Sequence, residues 1–508
     1  MNTDRDSHRH ALRQRYLASE ADTVRHLIQH TALTAEDRAI ISSMAAEMVQ
    51  QVRTQDHPSV MEKFLAEYGL TTQEGVALMC LAEALLRVPD AATIDALIED
   101  KVVPGNWQAH LGKSASSLIN SSTWALLITG KLLESHDEPG LGAQLRSLIK
   151  RLGEPVVRTA VAQAMKELGR QFVLGRDIHE ATERATRLQQ QGYTYSYDML
   201  GEAARTDTDA ERYHAAYAHA IDALRTQSAS ADIRDNPGIS VKLSALHARY
   251  EVPQRERVMT ELVARTLELA LAAKAANIGF NIDAEEADRL DLSLDVIAAV
   301  LSDERLRGWD GFGVVVQAYG KRASDVLDWL YATAQHLDRR IMVRLVKGAY
   351  WDAEIKRAQV LGLADFPVFS RKVNTDVSYL VCAEKLLDMA DRIYPQFATH
   401  NAHSVAAVLH LARQRGVEHF EYQRLHGMGE ALHDSVLRSH GTRCRIYAPV
   451  GAHRDLLAYL VRRLLENGAN SSFVNQIVDT RISPETIAED PFAQVLAAGD
   501  AVRHPHIA

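Results

Sequence analysis

From about Arg176 onward the sequence alternates short, β-rich apolar runs with longer polar or helical stretches. The alternation repeats eight times, and the runs begin at Tyr193, Ile239, Gly279, Phe312, Arg340, Phe397, Phe420 and Cys444. Strand and helix alternating in this way, without a GxGxxG turn, favour a closed parallel barrel over an open dinucleotide-binding sheet. We therefore predict an α/β fold built on a (β/α)8 TIM-like barrel.

The region before the barrel has a helical pattern instead. Apolar residues recur at helical spacing at Ile40, Ile41, Met44, Met48 and Val52. Thr71 and Glu74 make a capping box, and Pro89 closes the helix that follows it. We predict a helical arm over residues 1–53, an all-helical α-domain over 54–175, the barrel over 176–490 and a linker over 491–508.

Composition excludes several functions. The 508 residues carry a net charge of -9 and no long Lys/Arg run, which disfavours nucleic acid as a partner. Cys80, Cys382 and Cys444 are widely spaced and odd in number, so we predict free thiols in a reducing compartment. The polar N-terminus has no secretory signal and no apolar stretch could span a bilayer, which makes the cytoplasm the expected location.

Polar and charged residues lie where the predicted strands end. Active sites of (β/α)8 barrels are built at the C-terminal ends of the strands, so these residues are candidates for chemistry. Taken in strand order, they are Lys242, Asp283, Gln317, Tyr319, Arg344, Lys347, Tyr350, His400, Asn401, Gln423, His426 and Tyr447. A single such residue is more often structural, but agreement across seven strands favours a site at this face.

A second candidate follows the eighth run. If residues 453–467 are helical, Tyr459, Arg462, Arg463 and Glu466 lie on neighbouring turns of one face. Two planar guanidinium groups beside an aromatic ring could bind the carboxylate of an amino or organic acid. A solvated basic face ending a helix fits the spacing equally well, so the pattern alone leaves both interpretations open.

Several motifs in the barrel region also resemble a known family. They include ISVKLSALHARYE, NIDAEEADRLDLSLDV, VVVQAYGKRA, RLVKGAYWDAEIKRAQ, ATHNAHSV, RLHGMGE and RIYAPVGAHRDLLAYLVRRLLENGANSSFV. These segments are similar, in the same order, to the proline dehydrogenase domain of bacterial proline utilization A, and the N-terminal helices resemble its arm and α-domain. The resemblance implies a distorted (β/α)8 barrel that binds FAD, oxidises L-proline to pyrroline-5-carboxylate and passes electrons to membrane quinone.

The resemblance assigns substrate-binding and catalytic roles to particular residues. Arg462 and Arg463 would pair with the proline carboxylate, assisted by Lys242, while Tyr459 and Tyr447 would enclose the ring. Asp283 would lie close to the ring and to Tyr447, so Lys242, Asp283 and Tyr447 are the expected catalytic residues. The pocket near the flavin would be lined by Leu345 and Tyr350, although Leu345 could equally be barrel core.

Cofactor contacts are implied by the same resemblance. Gln317 and Arg344 would hydrogen-bond the isoalloxazine, and a cation there would stabilise the negative charge of reduced flavin. The remaining FAD contacts would come from Asp283, Lys347, Gly348, Tyr350, Trp351, Thr399, His400, Asn401 and Glu466. Trp351 next to Tyr350 would ordinarily be a core residue, and the HxxH spacing of His400 and His403 is a weak zinc signal.

Partners and location also follow from the family. We expect peripheral association with the inner membrane face during turnover, contact with quinone there, and self-association through the N-terminal arm. The sequence starts with a mixed-charge segment where longer family members begin with a basic DNA-binding segment, so we do not expect autogenous repression, and its C-terminal residues look like the linker before an aldehyde dehydrogenase domain. Two alternatives are a metal-dependent barrel hydrolase using Asp283, His400 and His403, and a non-enzymatic binding protein on an inactive barrel.

Overall fold

The computed structural model describes residues 3–54, 173–451, 476–477, 479, 481–499 and 501–507. Eight parallel strands close into a barrel in chain order, which confirms the predicted fold class. The strands are β1 (Tyr193–Met199), β2 (Gly238–Val241), β3 (Gly279–Ile282), β4 (Phe312–Gln317), β5 (Ile341–Val346), β6 (Ile393–Ala398), β7 (Glu421–Leu425) and β8 (Arg443–Val450).

Helices precede, connect and follow these strands. Within residues 3–54 the structure has α1 (Thr3–Gln14), α2 (Glu20–Gln29) and α3 (Ala35–Thr54). The others are α4 (Ile178–Gln189), α5 (Asp207–Arg225), α6 (Leu243–Leu246), α7 (Arg255–Arg257), α8 (Val263–Ala275), α9 (Leu290–Leu301), α10 (Ala323–His336), α11 (Trp351–Val360), α12 (Lys372–Asp388), α13 (Ala402–Arg415), α14 (Glu430–His440), α15 (Pro484–Ile487) and α16 (Pro491–Ala498). A π-helical segment (Val258–Leu262) joins α7 to α8. None of the helices in this described set has the length and apolarity needed to cross a bilayer.

The predicted sixth strand was misplaced at its start. The sequence run was read from Phe397, whereas β6 begins at Ile393 and pairs with β5 through Pro395 and Val343. Proline lacks a backbone N–H and ordinarily argues against an internal strand, so the pattern concealed the first half of β6. The second run was also too long, because its last residues form helix α6.

Side chains alternate between the two faces of the barrel wall. On β1, Tyr195 and Tyr197 are buried in the apolar core, whereas Ser196 and Asp198 point into the barrel and meet residues of other strands. Buried polar residues of β6, β7 and β8 also contact one another: Glu421 accepts hydrogen bonds from Gln396 at 2.9 Å and from Arg445 at 2.7 Å. These pairs satisfy a charge that would otherwise be costly to bury.

The N-terminal helices pack on the outside of the barrel. Arg9 of α1 forms ion pairs with Asp291 and Asp295 and lies 5.2 Å from the Trp329 ring. The helical pattern predicted around Ile41 and Met48 is confirmed by α3, where both side chains are buried against the core. The predicted capping box at Thr71 and Glu74 lies outside the described residues.

The described part of the segment predicted as a linker packs against other parts of the chain. Phe492 of α16 is buried and lies under the Arg38 guanidinium, and Asn374 donates to the Val502 carbonyl at 2.9 Å. Two predicted free thiols, Cys382 and Cys444, are buried and unpaired, while Cys80 lies outside the described part of the chain.

Candidate active site

Lys242 lies at the C-terminal end of β2, between two carboxylates. Its ammonium is 2.5 Å from Asp198 Oδ1 on β1 and 3.6 Å from Asp283 Oδ2, directly after β3. All three side chains are largely buried, with exposures of 10% for Lys242, 2% for Asp198 and 12% for Asp283. The ends of three adjacent strands therefore place one amino group and two carboxyl groups in a single enclosed group.

Arg344 of β5 joins this group from across the barrel. It donates to Asp283 Oδ1 at 3.1 Å and to two hydroxyls, Ser240 at 3.0 Å and Ser196 at 3.1 Å. The Ser196 and Ser240 hydroxyls lie 3.0 Å apart. Arg344 therefore holds Asp283 in place. The Ser196 and Ser240 hydroxyls, from β1 and β2, fix the orientation of the Arg344 guanidinium.

Tyr447 of β8 closes the group. Its hydroxyl donates to Asp283 Oδ2 at 2.8 Å, and its ring centre lies 5.1 Å from the Arg344 guanidinium carbon. This separation is within the range of a cation–π contact. The structure thus brings together Lys242, Asp283, Arg344 and Tyr447, which the sequence named separately.

Burial and neighbouring charges determine the protonation of this group. Burial disfavours the charge on Lys242, but Asp198, together with Tyr447 and Asp283, outweighs that effect and raises the Lys242 pKa well above its usual value. Burial, with Asp198 and Asp283 nearby, also raises the pKa of the Tyr447 hydroxyl. Near neutral pH Lys242 is therefore a cation and Tyr447 a hydrogen-bond donor.

Gln317 fixes the loops around the site. Its amide nitrogen donates to the Glu285 carbonyl at 2.9 Å, and its amide oxygen accepts from the Ala349 N–H at 3.1 Å. Gly348, which directly precedes Ala349, has a φ of +152°, and a Cβ at this position would lie 2.3 Å from the Tyr319 ring. A side chain at position 348 would therefore force the loop after β5 away from Tyr319.

The same loop carries a second ionic group. Lys347 and Lys372 both contact Asp376 of α12, with the Lys372 ammonium at 2.7 Å. Burial opposes ionisation of Asp376, but Lys347 and Lys372 outweigh it and hold the pKa of that carboxyl far below its usual range. Asp376 is therefore an anion that positions Lys347 at the rim of the barrel.

The end of β6 positions a third set of predicted residues. His400 accepts from the Leu425 N–H through Nε2 at 3.0 Å, and Asn401 caps α13 by accepting from the Ser404 N–H at 3.0 Å. Thr399 accepts from the Asn401 N–H at 3.1 Å, and its carbonyl lies 2.8 Å from His433 Nε2. This rim is thus ordered by its own hydrogen bonds.

The other three residues predicted to lie near the flavin are Leu345, Tyr350 and Trp351. Leu345 follows Arg344 on β5 and is fully buried among the core residues. Trp351 donates to the Phe369 carbonyl at 2.8 Å and packs on a small apolar cluster with Ile355 and Phe366. Tyr350 is half-buried and immediately precedes α11.

The predicted carboxylate clamp lies outside the described residues, together with its neighbours on the same predicted face. The residues concerned are Tyr459, Arg462, Arg463 and Glu466. Their roles remain predictions from the sequence.

Four residues that contact the predicted site residues were not themselves predicted from the sequence: Asp198, Ser196, Ser240 and Asp376. Asp198 belongs to the first run, YTYSYDML, where one carboxylate between apolar residues gave no signal of its own. The available signal was its position at the end of a strand, the criterion that identified Lys242 and Asp283. Asp376 lies within a helix and had no such signal.

A metal site at Asp283, His400 and His403 is not formed by the described residues. No group of three or more His, Cys, Asp or Glu side chains in this part of the chain could hold an ion. Asp283 is engaged by Arg344 and Tyr447, and His400 Nε2 accepts from the Leu425 N–H. This arrangement gives no support to the metal-hydrolase alternative.

Three regions of the chain match models of known protein families. Residues 181–476, more than half of the chain, match the model described as "Proline dehydrogenase". Residues 6–53 match "Proline utilization A proline dehydrogenase N-terminal domain", and residues 60–172 match "DNA-binding domain of Proline dehydrogenase". The last description disagrees with the prediction that nucleic acid is not a partner, which rested on overall charge and the lack of a basic run.

Curated and solved relatives agree with the family match. The chain is 50% identical over 497 residues to "Bifunctional protein PutA" of Escherichia coli (strain K12), covering 96% of this chain and 38% of that protein. It is 51% identical over 493 residues to the protein of the same name from Rhizobium meliloti, with coverages of 96% and 40%. A crystal structure of a Bradyrhizobium japonicum Proline Utilization A mutant superposes with a TM-score of 0.74 at 50% identity, covering 97% of this chain and 49% of that one.

These relatives are longer than the present chain, which spans about two fifths of the curated proteins and half of the solved one. The match to the barrel model does not depend on the additional length, since it lies within residues 181–476. The chain therefore belongs to the proline dehydrogenase family.

Proposed function

We propose that this chain is an FAD-dependent proline dehydrogenase that oxidises L-proline to pyrroline-5-carboxylate. The observation that carries the proposal is the buried group formed by Lys242, Asp198, Asp283, Arg344 and Tyr447 at the C-terminal end of a barrel of that family. Relatives are named for proline utilization or proline dehydrogenase, and the proposal extends that activity to this chain.

The charges of the group suit a zwitterionic substrate. Lys242 remains a cation, and it would attract the substrate carboxylate while Arg462 and Arg463 hold it in a bidentate manner. Asp283 carries the opposite charge beside Tyr447, where a substrate nitrogen would be attracted. Tyr447 and Tyr459 would enclose the ring, with Tyr350 as a further predicted pocket residue.

The residues present fit a flavin. Arg344 Nε is buried and has no hydrogen-bond partner among the described residues, so a donor remains available near the centre of the barrel. Arg344 and Gln317 would contact the isoalloxazine, with Asp283, Tyr350 and Trp351 nearby. The ribityl, phosphate and adenosine parts would be held by Lys347, Gly348, Thr399, His400, Asn401 and Glu466. When bound, FAD supplies a two-electron acceptor for hydride.

The chain's own residues would orient and enclose the substrate. The substrate nitrogen would lose its ammonium proton to solvent before or on binding, and oxidation would then remove a hydride from the ring carbon beside the neutral nitrogen, which converts the C–N single bond to C=N. A clamp on the carboxylate fixes which carbon faces the acceptor, and such positioning contributes much of the rate. The Tyr447 hydroxyl holds Asp283 in one direction during this step.

Reoxidation would pass the electrons to a quinone at a membrane surface, with the protein in the cytoplasm and peripheral to the membrane. Contact between copies through the N-terminal arm belongs to the same proposal. Both would be tested by quinone reduction in the presence of vesicles and by measurement of the oligomeric state in solution.

The absorption spectrum of the purified protein tests the central proposal. We expect visible flavin bands that bleach when L-proline is added and return with a quinone. Flavin bands that respond to no amino acid would refute the substrate, and a colourless protein that also fails to bind added FAD would refute the cofactor.

A further inference from the structure

The start of helix α12 is held by a carboxylate from the N-terminal arm. Glu20 of α2 accepts from the Ser370 N–H at 2.8 Å, from the Ser370 hydroxyl at 2.7 Å and from Asn374 Nδ2 at 2.6 Å. Arg371, at the N-cap position of α12, makes no side-chain hydrogen bond to the helix start. Because the start of a helix carries a partial positive charge, the Glu20 carboxylate is favourably placed there.

Residues 502–504 meet the same point from another direction. Asn374 Nδ2 also donates to the Val502 carbonyl at 2.9 Å, and the His504 N–H donates to the Ser370 hydroxyl at 2.8 Å. Ser370 and Asn374 are both buried. Two separate parts of the chain therefore fix the same two side chains, and removal of Glu20 would leave the Ser370 donors buried without their acceptor.

The same helix start leads to the predicted cofactor rim. Asp376 contacts Lys347 through one carboxylate oxygen, and Lys372, in the first turn of α12, contacts the other oxygen at 2.7 Å. Trp351 donates to the Phe369 carbonyl at 2.8 Å, immediately before the residues that Glu20 contacts. Two residues predicted to bind FAD, Lys347 and Trp351, are thus attached to the segment that Glu20 holds.

We propose that Glu20 is a positioning residue for the FAD site, although it is not among the residues predicted to bind FAD. Glu20 holds the first turn of α12, which fixes Asp376, and Asp376 in turn directs the Lys347 ammonium. Buried hydrogen bonds of this kind keep ligand-binding side chains in a productive geometry. The inference rests on the proposed function, which assigns Lys347 and Trp351 to FAD.

Glu384 offers a matched control on the same helix. It is 5% exposed, against 2% for Glu20, and it accepts from the Thr31 hydroxyl at 2.6 Å and the Ala32 N–H at 3.0 Å. Glu384 lies about two helical turns beyond Asp376, toward the end of α12. Both carboxylates therefore attach the arm to α12, but only Glu20 does so at the start of the helix.

The rate at which FAD leaves the purified holoenzyme tests the proposal. The protein is diluted into flavin-free buffer and separated from free flavin at intervals, and its visible absorbance is recorded. Glu20→Ala should release FAD about fivefold faster than the wild type or more, because the charge-assisted contact from Lys347 is held less firmly. Glu384→Ala should stay within about twofold of the wild type, since distant sites act independently.

A double variant tests the route through Asp376. Asp376→Asn should also speed the release of FAD, because it weakens the contact that directs Lys347. Combined with Glu20→Ala, it should give less than the product of the two single effects, since residues that act on one contact are not additive.

Three results would overturn the proposal. The first is release of FAD from Glu20→Ala at the wild-type rate. The second is equal acceleration in Glu20→Ala and Glu384→Ala, which would assign the effect to attachment of the arm as a whole. The third is a full product of the single effects in the double variant, which would show that Glu20 does not act through Asp376.

Two further observations keep the test decisive. Glu20→Gln retains the side-chain length and one acceptor oxygen but loses the charge, so it answers the same question if Glu20→Ala fails to fold. A wild-type protein that binds no FAD would refute the proposed cofactor together with this inference. That failure is recognised before any variant is made, which separates it from a failure of Glu20 alone.

Discussion

Lys242 and Asp198 form a buried ion pair across the ends of two adjacent strands, with 2.5 Å between Nζ and Oδ1. Asp198 is thus nearer to the lysine than Asp283, whose carboxylate lies at 3.6 Å and is shared with Arg344 and Tyr447. This difference separates two roles. Asp198 fixes the ammonium, and Asp283 is held by several donors facing the candidate substrate site.

The first prediction concerns Asp198. Asp198→Asn should lower kcat/KM for proline by about 10- to 100-fold, because a hydrogen bond to a charged group is worth roughly 1.5–3 kcal/mol. Flavin content should remain near that of the wild type. Steady-state kinetics and the visible spectrum give the two readouts, with the exposed Asp391→Asn as a matched control. Unchanged kinetics would show that catalysis does not depend on the ion pair between Lys242 and Asp198.

A second prediction concerns Arg344. Arg344→Lys keeps the charge but cannot hold Ser196, Ser240 and Asp283 together, because an ammonium lacks the planar fork of a guanidinium. We expect kcat to fall by about 10-fold or more while KM changes less, since such donors act on charge that develops during the reaction. Arg307→Lys serves as the exposed control. A purely higher KM would instead place Arg344 on the substrate.

Strand positions and their polar ends could be predicted from the sequence because apolar runs and terminal charges are local patterns. Lys242, Asp283, Arg344 and Tyr447 were found in this way, although only Lys242 and Asp283 directly follow their strands, whereas Arg344 and Tyr447 lie within theirs. The contacts between them were not, since Asp198 and Lys242 are 44 residues apart and meet only after the barrel closes. Leu345 shows a further limit: the sequence left open whether its side chain lines the pocket or belongs to the core, and in the structure it is fully buried among core residues.

A third prediction concerns the arginine pair. Arg462→Ala or Arg463→Ala should raise KM for proline far more than either disturbs the flavin spectrum, because the clamp would bind the substrate carboxylate rather than the cofactor. Proline titrations followed by kinetics and by flavin bleaching would measure both. The exposed Arg438→Ala on α14 is the control. Wild-type KM in both variants would show that the clamp assignment is wrong.

The fourth prediction concerns attachment of the arm. Glu20 of α2 is 2% exposed and accepts from the Ser370 N–H at 2.8 Å and from Asn374 Nδ2 at 2.6 Å, at the start of α12. Glu20→Ala leaves these buried donors unpaired, so the free energy of unfolding should fall by roughly 1–3 kcal/mol. Chemical denaturation measures the change, with the exposed Glu36→Ala as control. Equal losses in both variants would indicate that the buried contacts contribute nothing specific.

The last prediction concerns pH and Glu285, whose carboxylate accepts from the Ser244 N–H at 3.0 Å. Its side chain is 6% exposed, and burial raises its pKa from 4.5 to about 7. Between these values the folded state retains a proton that the unfolded state has lost. The stabilising contribution is therefore complete below pH 4.5 and disappears as the pH rises through 7.

Glu285→Gln keeps an oxygen for the Ser244 N–H and removes the ionisation. The variant should match the wild type near pH 4.5 and exceed its free energy of unfolding by roughly 1–3 kcal/mol at about pH 8, where the wild type must bury a charge. Denaturation curves at the two pH values measure the difference, and the exposed Glu304→Gln is the control. A gap between Glu285→Gln and wild type that is the same at both pH values would show that Glu285 does not titrate in this range.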